Sequence, residues 1–283
     1  MAIKTVGVVG CGLMGSGIVQ VCAQSGYKTI VSEVNKEFLD RGLGLIGASL
    51  AKSVEKGKMT DEARKTTLSH ISGTLSMEDF KNCDIVIEVV LEDMAEKKKV
   101  FSNLDRICPP SAILASNTSC LSIIEMAMST KRPAQVLGLH FFNPVPAMKL
   151  AEVVKTLVTG EETIKTVSAF AESLGKKVIL AKDMPGFIVN RLFIPYILDA
   201  IRLYESGGAS KEDIDEGMML GCNYPMGPLA LADFVGLDTV FFVANCMFEE
   251  FKDAKYAAPP LLRKMVTARY LGRKSGKGFY SYK

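Results

Sequence analysis

A glycine-rich turn near the N-terminus constrains the fold of this chain more than any other feature. Residues Gly10-Cys11-Gly12-Leu13-Met14-Gly15 form a G-x-G-x-x-G motif, which follows the apolar run Thr5–Val9 and precedes a helical pattern. Glycines at these positions permit a tight turn, the approach of a pyrophosphate and close packing of helix on strand. The helix N-terminus beyond the turn offers amide donors to an anion. The sequence therefore predicts a dinucleotide site with the cofactor against Gly10, Gly12, Leu13, Met14 and Gly15.

An acidic residue predicts which dinucleotide binds. Glu33 directly follows the second predicted strand, Thr29–Ser32, and stands 18 residues after Gly15. A carboxylate at this place hydrogen-bonds the adenosine ribose hydroxyls and repels a 2′-phosphate. We therefore expect NAD rather than NADP, although Lys36 lies close enough in sequence to weaken that preference.

The distribution of apolar residues divides the chain into two parts. Up to about Ala181, short β-branched runs that are apolar on both faces alternate with helical patterns, as in a parallel sheet covered by helices. The strands expected are Thr5–Val9, Thr29–Ser32, Asp84–Val89, Ala112–Ser116, Val136–His140 and Lys177–Leu180. After Met184-Pro185-Gly186 the pattern becomes helical, with helices expected over Ile188–Glu205, Lys211–Leu220 and Leu237–Phe251. The predicted fold is α/β: a Rossmann-type doubly wound domain over residues 1–184 and a smaller all-α domain over 185–283.

Residues 36–68 depart from a plain nucleotide-binding fold. Their pattern predicts two consecutive helices with a break at Gly57 and no strand between them. Such an insertion packs less of itself against the sheet, so we expect a projecting helical arm. An ordinary helical hairpin that lies on the surface is the alternative.

Composition and charge exclude several classes of protein. A formal net charge of +3 is too small to indicate a nucleic-acid partner, and no apolar run approaches the roughly 20 residues that span a bilayer. None of the seven cysteines forms a C-x-x-C pair, so neither a disulfide framework nor a zinc site is predicted. The first strand pattern begins at Ile3, too early for a signal peptide. We expect a cytoplasmic protein with reduced thiols, no metal and no membrane contact.

Several further segments carry a family resemblance that runs, in order, along nearly the whole chain. These segments are Gly10–Gly15, Ser116-Asn117-Thr118-Ser119, His140-Phe141-Phe142-Asn143-Pro144, Leu150-Ala151-Glu152-Val153-Val154, Pro185-Gly186-Phe187-Ile188-Val189-Asn190-Arg191 and Gly276-Lys277-Gly278-Phe279-Tyr280. In these segments the sequence resembles the short-chain (S)-3-hydroxyacyl-CoA dehydrogenases, and among them the bacterial 3-hydroxybutyryl-CoA dehydrogenases.

The resemblance implies an NAD-dependent oxidoreductase that interconverts 3-hydroxyacyl-CoA and 3-oxoacyl-CoA, with His140 and Glu152 as the acid–base pair. His140 ends a predicted strand at the edge where open α/β sheets bind ligands, and imidazole titrates near neutral pH. A carboxylate at its second ring nitrogen fixes the tautomer and stabilises the imidazolium. Without the motif, a packed core histidine and an exposed strand charge would be the simpler readings.

The resemblance also assigns residues to substrate and cofactor. Ser119 and Asn190 are expected at the substrate oxygen, where a hydroxyl and an amide stabilise developing charge. Since Asn190 falls in the first helix of the second domain, we expect a site between the domains, although a helix cap or packing role is the alternative. The cofactor contacts implied beyond the glycine turn are Glu92, Lys97, Asn117, Ser119, Asn143 and Lys274. For Glu92 and Lys97, a solvated helix face is the alternative, because Glu96-Lys97-Lys98-Lys99 is a charge run.

Coenzyme A would meet the predicted arm. Lys52 and Lys56 are four residues apart and share one helix face, so two ammonium groups there suit its phosphates. Ordinary surface lysines are an equally good interpretation. Family members pair through the helical domain, so a homodimer is expected, with Phe241-Phe242, Met247-Phe248 and Phe251 as an apolar face or, alternatively, as core residues.

Two other functions are compatible with the fold. One is a dehydrogenase of a free 3-hydroxy acid such as a sugar acid, although the aromatic pair Phe141-Phe142 suits an acyl chain better. The other is a non-catalytic NAD-binding regulator or structural protein. No basic DNA-reading helix is evident, and such a protein need not keep His140, Glu152, Ser119 and Asn190 together.

Overall fold

The computed structural model describes residues 2–282 and divides them into two compact units between Asp183 and Met184. The N-terminal unit is built on one eight-stranded sheet, and the C-terminal unit is helical throughout its described residues apart from isolated bridges. This is the predicted fold class, a Rossmann-type sheet followed by a helical domain.

The sheet of the N-terminal unit has the order β3-β2-β1-β4-β5-β6-β7-β8, so the chain reverses direction across the sheet between β1 and β4. All neighbours pair in parallel except β6 and β7, which are antiparallel. The strands are β1 (Thr5–Val9), β2 (Lys28–Ser32), β3 (Ile71–Thr74), β4 (Ile85–Glu88), β5 (Ile113–Ser116), β6 (Val136–Phe141), β7 (Leu150–Lys155) and β8 (Lys177–Lys182).

Helices cover both faces of this sheet, which is why its central strands are apolar on both sides. Every residue of β4, β5 and β6 is buried. The helices of this unit are α1 (Leu13–Gln24), α2 (Lys36–Glu55), α3 (Asp61–Ser69), α4 (Met94–Ile107), α5 (Ile123–Ala127) and α6 (Glu161–Ser173). Short 3₁₀ segments lie at Met77–Asn82 and Pro133–Gln135.

Two strands are absent from the sequence prediction, which was wrong at these places. Strand β3 has the sequence Ile-Ser-Gly-Thr and lies at the sheet edge, so it lacks the apolar run that marks a buried strand. Strand β7 carries Glu152 at a buried position, which interrupts its apolar pattern. Both are formed by their neighbours in the sheet rather than by a strong local signal.

The predicted arm is a helical hairpin, and most of its first helix is packed rather than projecting. Helix α2 contacts α1 and β3 and buries Leu39, Gly42, Ile46 and Leu50 along one face. Helix α3 contacts α1, α2 and β3. The expectation of a break at Gly57 is confirmed, because α2 ends at Glu55 and Gly57 takes φ +66°.

The C-terminal unit packs its helices around an apolar core and secures the end of the chain with buried carboxylates. Asp233 accepts hydrogen bonds from the amides of Phe279 and Tyr280 and from the Tyr282 hydroxyl, and burial raises its pKa. Asp215 accepts from Leu229 N and Ala230 N and from the Tyr280 hydroxyl. The helices are α7 (Val189–Glu205), α8 (Lys211–Cys222), α9 (Pro228–Val235), α10 (Leu237–Phe251) and α11 (Pro260–Thr267), with 3₁₀ segments at Ala254–Tyr256 and Arg273–Ser275.

Helix α10 carries the residues predicted to form an apolar dimer face, and the structure buries some of them in the core and exposes others. Met247 lies in the core of the unit with Val240 and Val243, so it is unavailable to a partner, whereas Phe242 is 36% exposed. Within residues 2–282, no single helix has both the length and the apolar character to cross a bilayer. Helices α9 and α10 reach those limits only when taken together, and they meet at 94°.

Candidate active site

The three glycines of the turn after β1 have different physical roles. Gly10 takes φ +100°, and a Cβ there would lie 2.7 Å from the Val89 carbonyl oxygen. A Cβ on Gly15 would overlap the Gly10 carbonyl, so this glycine lets α1 pack against the turn. Around Gly12, by contrast, a Cβ would meet no protein atom within 4 Å, and the residue is exposed. The protein packs against Gly10 and Gly15 and leaves open space at Gly12.

Helix α1 begins at this open space with its first amides available to a ligand. Gly12 is the N-cap, and among the described residues no side chain caps the helix and no acidic residue lies in its first turn. Leu13, the first helical residue, is 66% exposed. An anion at this end would meet amide donors and the positive end of the helix dipole. The turn therefore fits the pyrophosphate of a dinucleotide.

Glu33 lies at the end of β2 and already contacts the glycine turn. Its Oε1 accepts a hydrogen bond of 2.7 Å from the Cys11 amide, and its Oε2 accepts one of 3.0 Å from Val34 N. These bonds fix the carboxylate next to the turn, where it fits the ribose hydroxyls of a dinucleotide. Lys36, whose position in the sequence weakened the predicted preference for NAD over NADP, forms an ion pair with Asp40 at 2.7 Å.

Cys11, between the first two glycines, is a packing residue. Its side chain is buried, and a Cβ on Gly42 of α2 would overlap its Sγ. Burial and, to a lesser extent, the charge of Glu33 raise the pKa of the Cys11 thiol to about 12. The thiol is therefore protonated at neutral pH and is a poor nucleophile.

The register of β6 and β7 brings His140 and Glu152 together. The strands are antiparallel, and the two residues are direct partners across the pair. Glu152 Oε2 lies 2.7 Å from His140 Nδ1, and both side chains are buried. An ionised carboxylate only accepts, so Nδ1 carries the hydrogen, and in the neutral ring Nε2 carries the lone pair.

Ser119 lies at the other nitrogen of the ring. Its Oγ is 3.1 Å from His140 Nε2, and the Phe142 ring packs against the imidazole in a T-shaped arrangement with 4.6 Å between ring centroids. His140 therefore has its orientation fixed on one side by a buried carboxylate, while its second nitrogen faces a half-buried hydroxyl. This arrangement can move a proton at Nε2.

The loop after β5 is held in place by hydrogen bonds to β6 and to the loop after β4. Asn117 Oδ1 accepts a hydrogen bond of 2.9 Å from the Phe141 amide and so joins the ends of β5 and β6. Glu92 accepts from Ser119 N at 3.0 Å and from Thr118 Oγ1 at 2.8 Å. The predicted cofactor residues Asn117 and Glu92 thus lie at the carboxyl edge of the sheet next to Ser119.

Lys97 is not on a solvated helix face, unlike its neighbours in the charge run. Only 1% of its surface is exposed, and its Nζ lies 2.7 Å from Glu88 Oε1. Lys98 and Lys99 are paired with Glu125 and Glu96 at the surface. Sequence reasoning missed Glu88, although a carboxylate that ends the buried run Ile85-Val86-Ile87-Glu88 was a signal that could have found it.

The loop between β6 and β7 carries Asn143 and is fixed by a lysine that the sequence prediction also missed. Lys176 is buried and donates to the carbonyl oxygens of Val145 and Met148 at 2.6 and 2.7 Å. Burial lowers its pKa. Asn143 itself is exposed.

The remaining predicted site residues are at exposed or half-buried positions. In the N-terminal unit, Lys52 and Lys56 are exposed near the end of α2, and Lys56 is its C-cap rather than a residue within it. In the C-terminal unit, Asn190 is the second residue of α7 and is half-buried. Lys274 is paired with Asp238 at 2.6 Å. Residues 2–282 contain no group of three His, Cys, Asp or Glu side chains that could hold a metal ion.

Comparisons with known proteins agree on one family. Residues 5–184 match the NAD binding domain of 3-hydroxyacyl-CoA dehydrogenase, and residues 186–282 match its C-terminal domain. The chain is 49% identical to a probable 3-hydroxybutyryl-CoA dehydrogenase of Bacillus subtilis, over 100% of this chain and 98% of the relative.

Two crystal structures extend this similarity to the fold. One is FadB2 of Mycobacterium tuberculosis, with a TM-score of 0.99 and 47% identity over the full length of both chains. The other is (S)-3-hydroxybutyryl-CoA dehydrogenase PaaH1 of Ralstonia eutropha, with a TM-score of 0.95 and 44% identity, also over both full chains. The chain belongs to the 3-hydroxyacyl-CoA dehydrogenase family, and its N-terminal part is the NAD-binding domain of that family.

Proposed function

We propose that this protein is an NAD-dependent (S)-3-hydroxybutyryl-CoA dehydrogenase that interconverts short-chain 3-hydroxyacyl-CoA and acetoacetyl-CoA or related 3-oxoacyl-CoA. The observation that carries the proposal is the buried Glu152–His140 pair, with Ser119 at the second ring nitrogen. This group lies at the same edge of the sheet as the glycine turn, because β1 and β6 both end there. Relatives of nearly half identical sequence carry this enzyme name.

His140 moves the proton in the proposed reaction. In oxidation, Nε2 accepts the proton of the 3-hydroxyl group as the C3–H bond breaks and the carbonyl forms; in reduction, the same nitrogen donates it. NAD⁺, when bound, supplies the acceptor of the hydride from C3, and NADH supplies the hydride in the other direction. Because Glu152 occupies Nδ1, a single ring nitrogen faces Ser119 and serves both directions.

Glu152 and Ser119 support this proton transfer in different ways. The Glu152 carboxylate fixes the ring orientation and stabilises the imidazolium that forms when Nε2 accepts the proton. Ser119 supplies a hydroxyl donor for the substrate oxygen, whose negative charge grows or fades as the proton moves. Asn190 is proposed as the second donor to that oxygen, on the family motif and on its half-buried place near the start of α7.

The cofactor contacts follow the geometry of the N-terminal unit. The amides after Gly12 would hold the pyrophosphate, and Glu33 would hold the adenosine ribose. Glu92, Asn117 and Asn143 are proposed on the nicotinamide side, close in sequence or in space to the Ser119 loop. Lys97, which the resemblance also assigns to the cofactor, is not proposed as a contact, because its ammonium is buried against Glu88. Lys274 is the weakest assignment to the cofactor, because its ammonium already pairs with Asp238.

Coenzyme A is proposed to bind at the end of the hairpin of α2 and α3. Lys52 and Lys56 are exposed there, and their two positive charges suit the phosphates of coenzyme A.

We also propose a cytoplasmic homodimer. Exposed apolar side chains of the C-terminal unit, Leu192 and Leu220 among them, support a partner-facing surface. Light scattering on the protein as it elutes from a size-exclusion column should give a molar mass of twice 30.7 kDa.

An NADH oxidation assay with acetoacetyl-CoA tests the proposal. We expect NADH to be consumed with acetoacetyl-CoA at a kcat/KM at least about tenfold above that with free acetoacetate, or with NADPH in place of NADH. Preferred turnover of the free acid would instead identify a 3-hydroxy-acid dehydrogenase. NADH binding without turnover of either substrate would identify a non-catalytic NAD-binding protein.

A further inference from the structure

Glu88 is a buried carboxylate that the proposed reaction does not use. It is the last residue of β4 and is fully buried. Its Oε1 accepts hydrogen bonds from Lys97 Nζ and Val90 N, each 2.7 Å long, and its Oε2 accepts one of 2.6 Å from Ser116 Oγ. The carboxylate thus joins β4, β5 and α4 at the carboxyl edge of the sheet.

The ammonium group of Lys97 is surrounded by protein acceptors. Nζ lies 2.7 Å from Glu88 Oε1, 3.3 Å from the Val90 carbonyl oxygen and 3.4 Å from Glu92 Oε2. An ammonium has three N–H donors, and three acceptors of this chain lie around it. The geometry of Lys97 is therefore that of a group that orients other protein side chains.

Glu92 connects this buried pair to the proposed active site. Its Oε2 accepts the Thr118 Oγ1 bond and also faces Lys97, while its Oε1 accepts the Ser119 amide. Ser119 Oγ in turn lies 3.1 Å from His140 Nε2. A continuous set of polar contacts thus runs from Glu88 through Lys97 and Glu92 to the serine beside the histidine.

A buried ion pair is poorly explained by stability alone. The desolvation of two charges offsets much of their attraction, and apolar residues of similar volume often serve as well. A fixed ammonium does have an effect on its neighbour Glu92. With Glu88 present, the ammonium is held 2.7 Å from Glu88 Oε1, and its Nζ lies 3.4 Å from Glu92 Oε2 as a fixed positive partner; without Glu88, the ammonium loses its shortest contact and Glu92 loses that fixed partner.

We propose that Glu88 is a positioning residue for the dehydrogenase reaction. Its carboxylate holds the Lys97 ammonium so that Glu92 keeps its bonds to Thr118 and Ser119, and the Ser119 hydroxyl stays opposite His140 Nε2. The inference rests on the proposed function, because it gives Ser119 and His140 the roles stated there. Glu88 acts through Ser119 and contacts neither substrate nor cofactor.

A double-mutant cycle between Glu88→Gln and Ser119→Ala tests this inference. Glutamine keeps the size of the side chain and removes its charge. In the wild-type background, we expect Glu88→Gln to lower kcat for acetoacetyl-CoA about tenfold at saturating NADH, because small displacements of a reacting group cost that much or more. In the Ser119→Ala background, the same change should lower kcat less than about twofold, since the group it positions is gone.

The matched control is Glu125→Gln, which removes the carboxylate of a surface pair with Lys98, the neighbour of Lys97. Its kcat should equal that of the wild type. The Kd for NADH, measured from the fluorescence of bound NADH, shows whether a lower kcat comes from lost positioning or from lost cofactor binding. In Glu88→Gln this Kd should change less than about threefold. Equal losses of kcat in both backgrounds, or an unchanged kcat in Glu88→Gln, would overturn the inference.

A second variant covers the case in which Glu88→Gln folds poorly with Lys97 left unpaired. The double change Glu88→Gln/Lys97→Met removes both charges and leaves unbranched side chains of similar length, the methionine being one atom shorter than the lysine, so we expect it to fold. It should retain the kcat loss, and the loss should again disappear in the Ser119→Ala background. A double variant with wild-type kcat would overturn the inference. A wild-type protein inactive on acetoacetyl-CoA would instead overturn the proposed function, and the inference with it.

Discussion

Glu152 Oε2 lies 2.7 Å from His140 Nδ1, and the two residues are direct partners across the antiparallel strands β6 and β7. Successive strand residues point to opposite faces, so a register shift of one residue would turn Glu152 away from the histidine. Gly138 lets the strands approach, because a Cβ there would lie 2.9 Å from Val154 Cβ. The proposed acid–base pair therefore depends on the pairing of two strands.

The first prediction concerns this pair. His140→Gln should lower kcat for acetoacetyl-CoA by about 10² to 10⁴, the usual contribution of general acid–base catalysis. Glu152→Gln keeps the shape and removes the charge that favours imidazolium, so kcat should fall as well. The double variant should lose little beyond the His140 variant, because the two residues act as one unit.

The control for the pair is NADH binding, which should survive in both single variants because neither residue belongs to the glycine turn. Glu161→Gln, an exposed carboxylate at the start of α6, should leave kcat unchanged. A His140→Gln enzyme with near wild-type kcat, under conditions where the chemical step limits the rate, would contradict the proposed mechanism.

The second prediction separates two glycines of the cofactor turn. Gly12→Ala places its Cβ in space that no protein atom occupies, so stability should change by less than about 1 kcal/mol, while the Kd for NADH should rise at least about tenfold. Gly15→Ala drives its Cβ into the Gly10 carbonyl and should cost about 1–3 kcal/mol of stability. Urea denaturation and NADH titration measure the two effects. Tight NADH binding by Gly12→Ala would exclude the pyrophosphate from this turn.

The third prediction concerns the choice of cofactor. Glu33→Ala should weaken NADH binding and narrow the preference for NADH over NADPH, because it removes both the ribose acceptor and the charge that repels a 2′-phosphate. The ratio of kcat/KM for the two cofactors measures this. Glu37→Ala, an exposed carboxylate in the first turn of α2, should leave the ratio unchanged. A wild-type enzyme that prefers NADPH would show the assignment of Glu33 to be wrong.

The fourth prediction concerns coenzyme A. Changing Lys52 and Lys56 together to glutamine should raise KM for acetoacetyl-CoA and weaken its dependence on salt, because screening acts on the charges removed. The Kd for NADH should hardly change. The pair Lys4→Gln and Lys165→Gln removes the same charge from other exposed positions and should leave KM unaltered. Equal KM values for the Lys52/Lys56 variant and the wild type would show that these two residues are ordinary surface lysines.

The fifth prediction concerns stability at alkaline pH. Burial raises the pKa of the Cys83 thiol from 9.0 to about 12. Above pH 9 the unfolded chain loses this proton while the folded chain keeps it, so the unfolded state binds fewer protons and the free energy of unfolding falls as pH rises. One such thiol contributes a slope of about 1.4 kcal/mol per pH unit between the two pKa values.

Urea denaturation of the wild type and of Cys83→Ala at pH 7.5, 9 and 10 measures this slope. The stability advantage of the wild type over the variant should shrink as pH rises above 9. Cys222→Ala, at an exposed thiol, provides the matched control for the effect of a cysteine-to-alanine change. A constant difference for Cys83→Ala would contradict the prediction.

Local patterns in the sequence were sufficient for much of the fold. The glycine spacing of Gly10–Gly15 predicts the conformation of the turn, because a glycine is required where φ is positive or where a Cβ would overlap a carbonyl. Helix α10 was predicted with the bounds that the structure has, Leu237–Phe251, since its apolar residues repeat with the helical period. Strand β1 was likewise predicted with its observed bounds, since a short run that is apolar on both faces is typical of a buried strand. The family resemblance, carried by short motifs along the whole chain, agrees with both family models.

Contacts between distant residues were decided only by the tertiary structure. The local sequence of β7 does not indicate a strand, because Glu152 interrupts its apolar pattern; pairing with β6 and β8 forms the strand and places that carboxylate on the histidine. Lys97 resembles its neighbours in a run of charged residues, yet it is buried because Glu88 at the end of β4 supplies a partner. Whether a charge is solvated or buried depends on which groups surround it in space, and these groups come from segments far apart in the sequence.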